Sequence, residues 1–151
     1  KIVILTHNCH FYINVKYGFS YKKSNFIRLT SKNKKTYINY ITDKDEDFKT
    51  SYEFLWKELK LLNLEKNLHP ESLLNPMRRI IETYTKFNGI NKNTFYQKVV
   101  GSKKLFDVNS HSIDDLEADL NGKTKEQIID IFKNCFKENN ATEHLKIYWQ
   151  D

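Results

Sequence analysis

The hydrophobic pattern of this 151-residue chain changes period once, near Asp43, and that change limits what the chain can fold into. Before it, Phe26-Ile27-Arg28-Leu29-Thr30 and the alternating Thr36-Tyr37-Ile38-Asn39-Tyr40-Ile41-Thr42 read as two strands of a hairpin joined through residues 31–35. After it, Tyr52, Leu55, Trp56, Leu59 and Leu62 recur at helical spacing and define one apolar face. The expectation is an α+β chain: a terminal strand and a β-hairpin, then a bundle of five or six helices, joined near residues 43–50.

Local signals set the expected helix ends. Thr6-His7-Asn8 is a polar break that opens a short helix over residues 9–15. Asn75-Pro76 predicts a start, with Asn as the N-cap and Pro at the first helical position, where its missing N–H does no harm. Met77, Ile80, Ile81, Tyr84 and Phe87 give the stripe that follows, ended near Gly89. Residues 95–100 suit another helix. Ser112, with Asp115 three positions on, has the spacing of a capping box and predicts a helix after the elbow Asn109-Ser110-His111-Ser112. Residues 124–137 form the next, with Ile128, Ile131, Phe132, Cys135 and Phe136 inward, and Thr142 opens a last one ending in Tyr148-Trp149.

At 39% hydrophobic and 14% aromatic the chain can build a core, and a mean hydropathy of −0.69 reflects 29% charged residues rather than disorder. No run approaches the ~20 apolar residues that span a bilayer, and no signal-peptide pattern opens the chain, so a cytoplasmic protein without a membrane partner is expected. Cys9 and Cys135 lack metal-type spacing and read as reduced thiols. No cluster of Cys, His and carboxylates proposes a metal site.

The net charge of +6 is uneven. No acid precedes Asp43, whereas Lys1, Lys16, Lys22, Lys23, Arg28, Lys32, Lys34 and Lys35 all do; Asp114, Asp115, Glu117 and Asp119 form an acidic patch later. A basic stretch of this kind is either a solvated rim or a phosphate-facing surface, and Lys22, Lys23, Lys32, Lys34 and Lys35 are the candidates for nucleic-acid binding. Tyr37, Tyr40, Phe95, Tyr96 and Trp149 have rings that stack on bases, but core packing is the expectation for most.

Residues 2–6 read as a short buried strand that the chain enters directly from Lys1. Such a strand needs neighbours supplied from elsewhere, so the expectation is the C-terminal piece of something longer. Only four glycines are present and no Gly-x-x-x-x-Gly-Lys-Ser/Thr occurs, which puts any phosphate-cradling loop outside the chain.

Three motifs carry chemistry. His7, just past the apolar run in Ile-Leu-Thr-His-Asn, sits where parallel-sheet ATPases present groups to their ligand, although a strand-end His is more often a turn residue. Arg78 and Glu82 are four apart on one side of a helix, which suits an ordinary ion pair or a cation and a carboxylate for phosphate chemistry. Arg79 is the competing arginine, without that spacing. His111 lies beside a helix start, where backbone N–H groups favour an anion. His10, His69 and His144 have no partner pattern and are expected to be structural or surface residues.

The Thr-His-Asn ending at 6–8 resembles the switch-histidine loop of ABC-type ATPase domains. Asn-Pro-Met-Arg-Arg-Ile-Ile-Glu at 75–82 and Val-Asn-Ser-His-Ser-Ile-Asp-Asp at 108–115 resemble the nuclease domain of PrrC- and RloC-like anticodon nucleases, and the likeness runs through most of residues 72–149. It implies an ATPase remnant at residues 1–48 and a helical, anticodon-nuclease-like domain at 49–151. It further implies His7 as a γ-phosphate contact and Arg78, Glu82 and His111 as catalytic residues of a metal-independent endoribonuclease. No cofactor would serve the nuclease; ATP and Mg²⁺ would belong to the longer parent. RNA, with tRNA favoured, the upstream ATPase domain and further copies of the chain would be partners, in antiphage or stress defence. The alternative is a non-catalytic dimerisation or partner-binding module of a defence ATPase.

Overall fold

The computed structural model describes residues 2–20, 24–32, 34–44, 46–108, 120 and 122–149, with nothing said of the Lys32 and Val108 side chains. His111, the predicted cap at Ser112 and its helix, the acidic patch, Lys22 and Lys23 lie outside the described residues. The chain is α+β, a two-stranded antiparallel hairpin followed by a mainly helical region, as the change of period implies. It divides into two compact units, Lys1–Phe54 and Leu55–Asp151.

In the first unit, Asn8 caps α1 (Cys9–Lys16) by accepting from the Phe11 N–H at 3.1 Å. The hairpin pairs β1 (Phe26–Lys32) with β2 (Lys35–Ile41), Phe26 opposite Ile41 and Lys32 opposite Lys35. It is longer than residues 26–30 and 36–42 with a broad loop. The ladder continues through Ser31 and Thr36 to Lys32 and Lys35, and Lys34 takes a left-handed φ of 60°. Phe26, Arg28 and Thr30 are half-buried, whereas Ile27, Leu29, Ile38 and Tyr40 are exposed.

The buried strand expected at 2–6 is not there. Residues 2–5 are exposed and unpaired, because a strand needs a neighbour for its backbone groups and none of the described elements supplies one.

Asp47 holds this unit together. It is 1% exposed and accepts from Lys16 Nζ at 2.6 Å and from the Tyr12 hydroxyl at 3.2 Å. The Lys16 ammonium also donates to the Phe48 carbonyl and lies 5.0 Å from the Tyr12 ring centroid. Around this ion pair Tyr12 meets Phe26 and Phe48, and Phe48 meets Phe54.

The second unit is helical. Leu55, Trp56 and Leu59 of α2 (Ser51–Leu64) are buried, and a 3-10 turn, Pro70–Leu73, runs directly into α3 (Leu74–Phe87). Asn75 is therefore not the N-cap: Leu73 holds that place with no side-chain bond, and Pro76 falls third in the helix. The displacement costs little, since no N–H of the first turn has an intrahelical partner. Met77, Ile80 and Ile81 are fully buried, whereas Phe87, where the helix ends, is 84% exposed. Gly89, with φ 63°, terminates it.

Next come α4 (Lys92–Gln97), capped by Asn91, and a single π-helical turn, Lys104–Val108, which the periodicity did not reveal. Thr124 and Gln127 form a capping box on α5 (Lys125–Glu138), and α6 (Thr142–Tyr148) follows. Ile129 takes the buried place expected of Ile131. Trp56, Tyr84, Phe95, Phe132 and Phe136 build an aromatic core, with the His144 ring stacked on Phe136 at 6.0 Å. Phe95, Tyr96 and Trp149 are core residues here; Tyr37 and Tyr40 are exposed. Among the described residues no helix is long and apolar enough to cross a membrane.

Asp47→Ala leaves the Lys16 ammonium in an apolar setting, and should lower stability by about 3 kcal/mol in urea unfolding. Burial holds the His144 imidazole below its ordinary pKa of 6.5, so the unfolded chain binds more protons there. Its contribution is present above that pKa and is lost as the pH falls through the folded value. Stability should thus decline between pH 7 and 5, with a shallower slope in His144→Phe.

Candidate active site on the third helix

The sequence-predicted residues fall in both units. His7 is exposed, one residue before the cap of α1. Lys34 and Lys35 are exposed at the hairpin turn, whereas Lys16 is engaged by Asp47. Arg78 and Glu82 are half-buried on α3.

Regular helix spacing places Arg78 and Glu82 one turn apart, beside the buried stripe of Met77, Ile80 and Ile81. An Arg78 guanidinium nitrogen donates to Asn75 Oδ1 at 3.3 Å. The Glu82 carboxylate does not turn back along the helix to Arg78. Its Oε1 accepts from Lys92 Nζ at 3.3 Å, at the start of α4. The same ammonium donates to Asp107 Oδ1 at 2.5 Å, on the π turn. Lys92 and Asp107 had no motif to mark them, since 10 and 15 residues separate the partners. The hydrogen bond to Asp107 leads the groups that hold the Lys92 ammonium above its ordinary pKa, against the desolvation that lowers it.

Behind this cluster lies Tyr96, 1% exposed, whose buried hydroxyl has no hydrogen-bond partner among the described residues. Burial pushes its phenol pKa up, the negative charges of Asp107 and Glu82 push it further, and Arg78 pulls the other way. Five charged or polar groups from α3, α4 and the π turn thus share one neighbourhood. Arg79 is exposed and acts elsewhere: its charge opposes the burial that raises the pKa of Glu58 on α2.

Two other features have less chemistry. The Cys135 thiol is buried, and desolvation pushes its pKa up to about 11, which keeps it protonated and unreactive. A shallow depression lined by Gly122, Lys123, Gln127, Asp130 and Ile131 contains none of the predicted residues.

A family model described as AAA domain, AAA_13, matches residues 1–137, a span that covers the first unit and most of the second. The chain belongs to this family of AAA-type ATPase domains. No curated protein and no solved structure matches it.

The orphaned hydroxyl gives a direct check on this geometry. Tyr96→Phe removes a buried polar group with no partner, so stability should stay level or rise by about 1 kcal/mol. A loss of more than about 1 kcal/mol in urea unfolding would mean that the hydroxyl is bonded after all.

Proposed function

We propose that the helical unit is a metal-independent RNA endonuclease of the anticodon-nuclease kind, attached to an ATPase that restrains it. The observation that carries this reading is the placement of two charges on α3. Arg78 and Glu82 stand one turn apart, half-buried, and both act on the Tyr96 phenol, while Arg79 is exposed and influences Glu58. That arrangement favours Arg78 as the functional arginine. It also speaks against an idle surface ion pair within the helix, since Glu82 pairs with Lys92 instead. The resemblance of residues 75–82 and 108–115 to PrrC- and RloC-like nucleases supplies the substrate class and the third residue, His111.

The chemistry is attack by the 2′-hydroxyl of RNA on its adjacent phosphate. The O2′–P bond forms and the P–O5′ bond breaks. The 2′ proton leaves to a base, and the 5′ oxygen takes a proton as it departs. The products are a 2′,3′-cyclic phosphate and a 5′-hydroxyl. His111 does general acid–base work, since an imidazole exchanges protons near neutral pH. Glu82 removes a proton or orients that imidazole, and Arg78 stabilises charge on the phosphoryl oxygens as the transition state forms. Lys34 and Lys35, with Lys22, Lys23 and Lys32, would draw the RNA backbone.

The AAA family membership supports the ATPase half of the reading. The chain carries no Gly-x-x-x-x-Gly-Lys-Ser/Thr loop, so His7 would meet a γ-phosphate only together with residues beyond this chain, which would also bring Mg²⁺. Further copies of the chain and the upstream ATPase domain would complete the assembly, in antiphage or stress defence.

The test is cleavage of labelled RNA by the longest natural form of the protein and by its variants. Alanine at Arg78, Glu82 or His111 should each cut the rate by ~10²–10⁴-fold while the circular dichroism spectrum is unchanged. EDTA should not inhibit, and the products should carry cyclic phosphate ends. Cleavage that needs Mg²⁺, or that survives all three substitutions, would leave a non-catalytic partner-binding module as the better account.

A further inference from the structure

Lys92 is the first residue of α4, and its ammonium joins three elements: Glu82 on α3, Asp107 on the π turn, and α4 itself. The two contacts are unequal. Asp107 is the closer at 2.5 Å and its side chain is 21% exposed, whereas Glu82 is at 3.3 Å and 37% exposed. Asp107 is therefore the anchor, and Glu82 is the end of the chain of charges that solvent and substrate can reach. Only Oε1 of Glu82 is engaged; Oε2 accepts no hydrogen bond among the described residues.

The carrier of Asp107 is unusual. A π turn is rare, and such single turns are found frequently at functional sites. Here Leu105 and Phe106 are both buried, while Asp107 remains at the border and meets Lys92. A simple structural ion pair would need one carboxylate. Two carboxylates share this ammonium, and the more accessible of them is Glu82.

We propose that Lys92, anchored by Asp107, is a positioning residue that holds the Glu82 carboxylate in one orientation for proton transfer. The catalytic consequence rests on the RNA-cleaving reading above; the coupling of Lys92 to Glu82 does not. Lys92 leaves Oε2 open while it fixes Oε1, so the carboxylate keeps one orientation and one oxygen for a proton. Among the described residues, the charged and titratable groups around it are Arg78 on α3, Tyr96 on α4, Asp107 on the π turn and, on α5, Cys135, which acts on the same Tyr96 phenol.

The decisive measurement is a ¹⁵N NMR titration of the Lys92 ammonium in the full 151-residue chain, run beside kcat and KM for cleavage of an RNA oligonucleotide. Asp107 and then Glu82 hold that ammonium above its ordinary pKa, so Asp107→Asn should lower its titration midpoint and Glu82→Gln should lower it less. In a cleaving protein, Lys92→Met should lower kcat with KM little changed, and Lys92→Arg, which keeps the charge, should restore most of it. A Lys92 midpoint that stays put in both Asp107→Asn and Glu82→Gln overturns the proposal. So does a cleaving Lys92→Met variant with wild-type kcat. If wild type cuts no RNA but the midpoint moves as stated, the coupling stands and the nuclease reading falls.

Discussion

One ring organises the helical unit. Phe136 on α5 meets Trp56 of α2, Tyr84 of α3, Phe95 of α4, Phe132 of its own helix and His144 of α6, with centroids between 5.2 and 6.0 Å. Tilted and edge-on pairs of this kind contribute about 0.5–1.5 kcal/mol each beyond their area burial. More important here is geometry. A residue that touches every neighbouring helix fixes how each is rotated about its axis, since turning α3 would pull Tyr84 off the ring. The rotation of α3 in turn decides that Met77, Ile80 and Ile81 face inward and that Arg78 and Glu82 stand at the border.

The polar cluster depends on that apolar frame. Lys92, Glu82 and Asp107 come from three separate elements, and their contacts survive only if α3, α4 and the π turn are held by Tyr84, Phe95 and Phe106. The buried Tyr96 hydroxyl shows the tension between the two demands. Its ring packs near Phe106, 6.5 Å between centroids, yet its oxygen has no partner among the described residues, beside charged groups. The first unit solves a similar problem differently. Asp47 is buried and hydrogen-bonded to the half-buried Lys16, so the charge that enters the interior comes with its counter-charge.

The family model spans the first unit and most of the helical unit, so family membership does not assign the ATPase character to the first unit alone. Under the proposed function, the exposed residues 2–5 and the apolar face of Ile27, Leu29, Ile38 and Tyr40 would belong to the ATPase half. The chemistry would belong to α3, where the charges lie at the edge of a rigid core.

The sequence by itself determined the class and most of the elements. Apolar spacing in residues 77–84 and 128–136 can bury its face only as a helix, and the alternation at 36–42 only as a strand. Local chemistry also settled the caps at Asn8 and Thr124, because a cap involves neighbours three positions away. What lay beyond three or four residues was decided in three dimensions. The run at 2–6 has strand composition but no strand, since pairing needs a partner that composition does not provide. Asn75 and Pro76 have the chemistry of a helix start, but the 3-10 turn before them moved the start to Leu74. Spacing put Arg78 and Glu82 on one side of α3; only packing could bring Lys92 and Asp107 to them, because an ion pair across three elements depends on where the core holds each backbone, and no local pattern records that.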